Sequence, residues 1–222
     1  MPEEYDYDLV VVGGGPAGSS AAFAAAKNGI KVALIEKENS IAETVRTSGV
    51  TWIESIKEFG IPDNCYNPIK NFSFVSPNNE VTISDSIATA AVLDVRKTYR
   101  WLANEAEETG ADIFLKININ EVIKNENNDI VGVKGTGPKG EIIFHSKIVI
   151  DATGFTSVIS KAMGFVTQWK RFGAGAEYEA IVENSDPDTW WLMVGQEYTP
   201  AGYAWIFPLG NNIVRIGVGV GK

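Results

Sequence analysis

Residues 8 to 37, DLVVVGGGPAGSSAAFAAAKNGIKVALIEK, restrict the fold of this chain more than any other stretch. YDLVVV, residues 7 to 12, is a short Val-rich run that predicts a buried parallel strand. GGGPAGSSAAFAAAKNG follows, Ala-rich and free of β-branched residues, and predicts a helix that ends at Gly29. KVALIEK is a second strand, so about 30 residues make one βαβ unit. Such a unit belongs to an α/β fold, with helices packed on a mostly parallel sheet.

Within this unit Gly13, Gly15 and Gly18 match G-x-G-x-x-G, with Pro16 and Ala17 completing the turn into the helix. The first glycine permits the tight turn, the second lets backbone approach a pyrophosphate, and the third lets helix and sheet pack closely. The helix N-terminus adds free N–H groups and a partial positive charge. Glu36 ends the second strand, 18 residues beyond Gly18, where a carboxylate accepts hydrogen bonds from an adenosine ribose; Lys37 lies beside it. A purely structural Gly-rich turn is the competing reading, and the strand, helix and acid around the motif favour a dinucleotide. Glu36 disfavours NADP, whose extra phosphate it would repel. The turn by itself leaves FAD and NAD both open.

Composition removes other classes. The net charge of −9 argues against nucleic acid, which needs a Lys/Arg surplus, and against a polybasic membrane anchor. One cysteine, Cys65, excludes an internal disulfide framework and a multi-cysteine metal site, and suits a reducing cytoplasm. Cys65 reads as an inert thiol in a turn-rich stretch. The single histidine, His145, lies in the apparent strand EIIFHSKIVI and reads as structural. No metal is expected. MPEEYDYD lacks the basic start of a signal peptide, and no apolar run reaches the length of a membrane-spanning helix.

Further along, a helix is expected from about Thr51 to Phe59, and IPDNCYNPIKN (61–71) should break regular structure. FSFVSPNNEVTIS predicts a hairpin. VLDVRKTYRWLANEAEETGA is amphipathic, with Val95, Tyr99, Leu102 and Ala106 as its inner stripe. Residues 112 to 150 alternate as a small meander that leads into KIVIDATG, another buried strand and turn, and the chain is strand-rich from about 169 to 220. The domain reading is a three-layer Rossmann-like nucleotide-binding domain (1–65 and 95–165) interleaved with a sheet-rich substrate domain (66–94 and 166–222).

Three features tilt the cofactor toward FAD. Arg96 starts the long helix, although alone it reads as a solvated helix charge. The strand DIFLKININEVIKN offers backbone near Glu121 and Val122 to cap an adenine. The D-A-T-G turn brings Ala152 and Gly154, where glycine lets backbone pass close to a ligand. In this order the set resembles the FAD-binding domain shared by glutathione-reductase-like flavoproteins and the aromatic-hydroxylase group.

The last segment narrows the resemblance. YAWIFPLGNNIVRIGVG contains Tyr203, Trp205, Phe207 and Pro208, then eight residues, then Gly217 and Gly219. It resembles the Y-x-W-x-F-P-x8-G-x-G motif of the geranylgeranyl reductase family of flavoproteins. That resemblance implies FAD as cofactor and reduction of isoprenoid C=C bonds by hydride transfer from reduced flavin. It also implies an isoprenoid lipid or polyprenyl substrate and an external electron donor, NAD(P)H or reduced ferredoxin. The expected setting is cytoplasmic, with membrane contact at most peripheral. The six motif residues become substrate-binding candidates. Physically, Tyr203, Trp205 and Phe207 alternate and so face one side of a strand. An aromatic wall suits a long apolar chain, whereas an ordinary aromatic core strand is the plainer alternative.

Two departures stand out. Archaeal members of the family often carry a cysteine in the loop after the second strand, where this chain has VRTSGV. Arg46 of that loop resembles the arginine that approaches the flavin phosphates in related enzymes. Family members also continue with a G-D segment, whereas this sequence stops at Lys222, so a truncated protein with an incomplete flavin site is expected. A flavin monooxygenase or halogenase of the same superfamily is the alternative. Halogenases resemble the layout but carry W-x-W-x-I-P where this chain has Y-A-W-I-F-P. A non-catalytic FAD-binding fragment is the third reading. No residue is assigned as catalytic.

Overall fold

A computed structural model describes residues 2–165 and 171–221 of the chain. The first half contains β1 (Glu3–Val12), α1 (Pro16–Lys27), β2 (Val32–Ile35), β3 (Val50–Trp52), α2 (Ile53–Phe59), β4 (Tyr66–Ile69), β5 (Asn71–Ser76), β6 (Asn79–Ser84), β7 (Ala90–Leu93) and α3 (Val95–Glu108). The second half contains β8 (Asp112–Phe114), β9 (Asn118–Lys124), β10 (Ile130–Gly137), β11 (Gly140–Asp151), α4 (Val158–Ala162), β12 (Gly173–Ile181), β13 (Thr189–Val194), β14 (Gly202–Gly210) and β15 (Ile213–Gly221). The chain divides into two compact units, residues 1–45 with 99–168, and residues 46–98 with 169–222.

The first unit is built on a six-stranded sheet of order β8-β2-β1-β11-β10-β9. β8, β2, β1 and β11 run parallel, while β10 and β9 complete it antiparallel. β1 is longer than the expected strand because Glu3–Tyr7 pair with Ile142–Ser146. For the same reason the expected meander strand and the strand entering D-A-T-G are one element, β11. On one face, Ala22, Ala25 and Ala26 of α1 and Ala106 of α3 pack on Leu9, Val11, Val32 and Leu34. Alanines at this spacing bring the helix close to the sheet. On the other face, Val10, Val12, Ala33 and Ile35 share a cluster with Ile119, Val133, Phe144 and Ile159. The three-layer α/β reading therefore holds. Each fully buried Val, Leu or Ile here contributes about 1.5–3 kcal/mol of apolar transfer.

The second unit pairs a six-stranded sheet, order β12-β15-β14-β13-β5-β6, with a three-stranded sheet, order β3-β7-β4. Ile69, Ala90 and Val92 from the small sheet meet Phe72, Trp190, Trp205 and Phe207 from the large one. The expected hairpin is β5–β6. Two expectations change here. Residues 61–71 were expected to be irregular, yet Tyr66–Ile69 pair with β7; Pro68 is tolerated because β4 is an edge strand. Residues 46–65 and 95–98, expected with the nucleotide-binding part, cluster with the second unit. The cause is Val50–Trp52, which pair with Ala90–Val92. Residues 166–170, the expected start of the last substrate segment, lie outside the described residues.

Candidate functional site

The first unit places the glycine motif at the carboxyl end of β1, where the sheet order reverses. From β1 the chain builds outward to β2 and β8 on one side, and β11 returns on the other. Ligands of open α/β sheets bind at such a switch point. Gly13 donates its N–H to Ile35 O at 2.8 Å, and Ala152 donates to Val12 O at 2.8 Å, closing the turn between the strands.

The three glycines separate into distinct roles. Gly13 has φ +111°, and a Cβ there would lie 2.3 Å from Ala152 O. A Cβ on Gly18 would lie 1.8 Å from Gly13 O. Both positions are closed by the fold itself. Gly15 differs: nothing lies within 4 Å of where its Cβ would be. It is the N-cap of α1, with Pro16 at the first helical position and no acidic residue in the first turn. The first helical bond runs from Ser19 N to Gly15 O at 2.9 Å. The amides of Ala17 and Gly18 therefore stay outside the helical ladder. The result is an open ledge of backbone N–H groups at a positive helix end, which fits a pyrophosphate.

Glu36 lies beside the ledge. Its Oε2 accepts from Gly14 N at 2.8 Å and its Oε1 from Glu38 N at 2.9 Å. Each oxygen keeps a second acceptor site, which suits a pair of ribose hydroxyls. Lys37 is exposed. Asp151 of D-A-T-G accepts from Thr153 N and Oγ1 at 3.1 and 2.6 Å, and from Ser160 N at 2.7 Å. Burial would raise its pKa, but these donors outweigh burial and hold the carboxyl below the usual range. Asp151 thus fastens the turn that carries Ala152 and Gly154. Gly154, at φ +63° with nothing within 4 Å of a Cβ, is exposed. Val122 sits on the edge strand β9 and packs against the cluster that holds Ile35. Together these residues fit the adenosine and pyrophosphate end of a dinucleotide.

The second unit holds the other candidates. Arg46 is exposed in the loop before β3, and Arg96 is exposed in the first turn of α3. Asp94 caps that helix, accepting from Lys97 N at 3.1 Å and pairing with Lys97 Nζ at 2.9 Å. Burial would raise the Asp94 pKa; Lys97 and the field of Arg215 more than offset it, leaving it lowered. Cys65 is buried, and burial pushes its thiol pKa up, in line with an inert thiol. His145 lies on β11, with Nε2 3.2 Å from Glu4 Oε2. Among the described residues there is no cluster able to hold a metal ion.

The aromatic motif requires a correction. Trp205 and Phe207 are 8% and 4% exposed, Pro208 is fully buried, and only Tyr203 is open, at 49%. The Trp205 and Phe207 side chains are core of the second unit, because the small sheet covers that part of the face. Gly217 and Gly219 lie across from Trp205 and Tyr203 on β15. A Cβ on Gly217 would meet Trp205 ring carbons at 2.3 and 2.4 Å, and one on Gly219 at 3.4 Å. The G-x-G pair is therefore a seat for the indole. Gly175 on β12, 3.7 Å from the ring by the same construction, extends it. Trp190 Nε1, Trp205 Nε1 and Glu177 Oε2 are buried without a hydrogen-bond partner.

Arg215 went unnoticed in the sequence. It is 3% exposed on β15, donating Nη1 to Ser48 O at 2.7 Å and to Leu93 O at 3.3 Å, and Nη2 to Glu179 Oε1 at 2.8 Å. The available signal is its parity: Arg215 shares the inward face with Gly217 on an otherwise apolar strand.

A family profile described as FAD dependent oxidoreductase matches residues 8–179. One described as geranylgeranyl reductase catalytic domain matches residues 173–222. The chain is 36% identical over 221 residues to the digeranylgeranylglycerophospholipid reductase of Methanocaldococcus jannaschii, covering 96% of this chain and 55% of that protein. It is 32% identical to digeranylgeranylglycerophospholipid reductase 1 of Methanopyrus kandleri, covering 97% and 58%. The chain thus spans little more than half the length of these curated relatives. Among solved structures, a geranylgeranyl bacteriochlorophyll reductase-like protein from Thermoplasma acidophilum superposes with a TM-score of 0.88 at 30% identity, over 98% of this chain and 57% of that one. A flavin-dependent brominase superposes at 0.76 with 22% identity over 96% and 57%, a likeness of fold.

Proposed function

We propose that this chain, which belongs to the family of FAD-dependent oxidoreductases, binds FAD on its glycine ledge and serves the reduction of isoprenoid C=C bonds in a geranylgeranyl-bearing lipid. The observation that carries the cofactor half is the open backbone at Gly15 beside the Glu36 carboxylate. Ala17 and Gly18 N–H groups hold the pyrophosphate. Glu36 accepts from the adenosine ribose, and its charge selects against a 2′-phosphate. Bound FAD, once reduced, supplies the hydride.

The substrate half rests on the large sheet of the second unit and on the reductase relatives. Its apolar face continues past the covered core. Tyr203 lies opposite Val194, Leu192 opposite both Trp205 and Phe74, and Phe74 opposite Val81. Tyr203, Val194, Phe74 and Val81 are exposed, Val81 at 57%. An aromatic and aliphatic ramp of this kind receives a polyprenyl chain and excludes water from it, which a hydride transfer to an unactivated alkene requires. Trp205 and Phe207 act beneath it as the rigid support. Electrons come from NAD(P)H or reduced ferredoxin. Among the described residues no helix is long and apolar enough to cross a membrane. The lipid substrate is met at a membrane surface from the cytoplasm.

The test is a visible spectrum of the purified chain after incubation with FAD and gel filtration, with NAD in parallel. Retained flavin that bleaches with dithionite, and is reoxidised without oxygen by a geranylgeranyl lipid, supports the proposal. Retention of NAD in place of FAD overturns the cofactor. Flavin that is retained and reduced yet indifferent to the lipid leaves the non-catalytic reading; oxygen consumption coupled to NAD(P)H favours a monooxygenase.

A further inference from the structure

The amino ends of the strands in the first unit carry a group of side chains with no part in the chemistry of the glycine turn. Tyr5 and Tyr7 alternate on β1 and so share one face, as do Asp112 and Phe114 on β8. Between the two strands β2 presents Ala33, whose short side chain lets rings from β1 and β8 meet over it. The Phe114 ring stands 5.1 Å from that of Tyr5 at 64° and 6.1 Å from that of Tyr7 at 87°, so the rings form adjoining walls rather than a stack. Together with Glu107 and Asp112 they line an open hollow of about 490 Å³, within the size range of small-molecule sites. Tyr7 precedes Gly13 by about 20 Å of extended strand, so the hollow is separate from the dinucleotide ledge.

The charge of this hollow is one-sided. The Tyr7 hydroxyl donates to Asp112 Oδ2 at 2.8 Å. Burial, and then this bond to a carboxylate, push the Tyr7 pKa up, so the hydroxyl keeps its proton and stays a donor. No described residue donates to Asp112 Oδ1 or to the Glu107 carboxylate, and no lysine or arginine lines the hollow. Lys31, outside it, places Nζ 4.8 Å from the Tyr7 ring centroid while donating to Asp6 O at 2.7 Å, so one ring of the group already receives a cation. Tyr5 and Phe114 also wall a smaller hollow of about 190 Å³, lined by Ile117, Pro138 and Ile142. The charged side chains there are already paired, Glu3 with Lys139 at 2.9 Å and Glu141 with Lys134 at 2.7 Å.

Ring faces and carboxylates on one wall select a cation over a neutral or anionic ligand. A bare metal ion is poorly served, because the described residues bring no three metal-ligating groups together. We propose that this hollow binds an organic ammonium bearing a short apolar group, with its charge among Glu107, Asp112 and the two tyrosine rings and its carbon chain over Phe114. The site lies wholly within the first unit and stands or falls apart from the cofactor reading.

The experiment is an amide NMR titration of the full chain with butylammonium, with 1-butanol and butyrate as matched probes. Butylammonium shifts the amides of residues 5–7 and 107–114 saturably, with a dissociation constant on the order of 1 mM. 1-Butanol, which has the chain without the charge, shifts them about fivefold more weakly or less, and butyrate leaves them unmoved. Glu107→Gln and Asp112→Asn each weaken butylammonium by about threefold, the scale of an exposed ion pair; the Asp112→Asn amide still accepts from the Tyr7 hydroxyl. Equal shifts from butylammonium and 1-butanol, or shifts that spread over the whole acidic surface without saturating, overturn the proposal, as does undiminished binding to Glu107→Gln. Should Asp112→Asn fail to fold, Glu107→Gln, at an exposed position, decides the matter alone.

Discussion

Replacing Gly15 by alanine separates ligand binding from folding at the glycine turn. Gly15 has φ −73° and ψ −177°, a conformation open to any residue, and its Cβ would meet nothing within 4 Å. Alanine at a compatible glycine stabilises by about 0.4–1 kcal/mol through the unfolded chain. Gly15→Ala is therefore expected to melt at or slightly above the wild-type temperature. Gly18→Ala places a Cβ 1.8 Å from Gly13 O, where 3.4–4 Å is an ordinary contact, so helix and strand must part. Its cost is about 1–3 kcal/mol or more. On the ligand side the order changes, because on the proposed binding mode the methyl of Gly15→Ala would fill open space beside the Ala17 and Gly18 amides where the pyrophosphate is to sit. A tenfold weaker FAD affinity, about 1.4 kcal/mol, is the least effect expected. Thermal unfolding and a flavin fluorescence titration on both variants decide it. A Gly15→Ala protein that unfolds as readily as Gly18→Ala, or that binds FAD as tightly as wild type, would refute the assignment of Gly15 to the ligand.

Three further expectations follow from the same geometry. Gly217→Ala should destabilise the second unit by about 1–3 kcal/mol, and cost less, though not nothing, in a Trp205→Leu background, where the approach to Glu177 Cβ at 2.8 Å remains; chemical unfolding of the four proteins gives the coupling, and additive costs would mean that Gly217 does not seat the indole. Asp151→Asn should cost about 1–3 kcal/mol at neutral pH, since an amide cannot accept from both Thr153 and Ser160. The Asp151 pKa is depressed on folding, so its contribution is full above the unfolded value near 4 and fades as pH falls through the folded value; the gap between wild type and variant should close on acidification in a pH series of unfolding curves. Glu36→Ala removes the acceptor of Gly14 N and Glu38 N and should lower both melting temperature and FAD affinity, with no gain in affinity for NAD.

Much of the first unit was legible in residues 7 to 37. Strand, glycine turn, alanine helix and acid are consecutive in the chain, and local spacing decides whether a turn is tight and a helix end is open. The same holds for the alternation of Tyr203, Trp205 and Phe207, which put the three side chains on one face. Which part of that face is covered is not a local property. The small sheet formed by β3, β7 and β4 buries Trp205 and Phe207 and leaves Tyr203 open, and its strands come from three separate stretches of sequence. The role of Gly217 and Gly219 is hidden for the same reason: it is set by an indole on the neighbouring strand, 12 and 14 positions away. Arg215 lies further still from view, because its partners at Ser48 and Leu93 are 167 and 122 residues distant. By itself the sequence determined the strand–glycine turn–helix unit and the α/β class, since these follow from periodicity and backbone sterics within a few residues. Only the tertiary structure decided which aromatics face outward, which glycines serve packing and which arginine is buried, since each depends on non-local strands being brought into register.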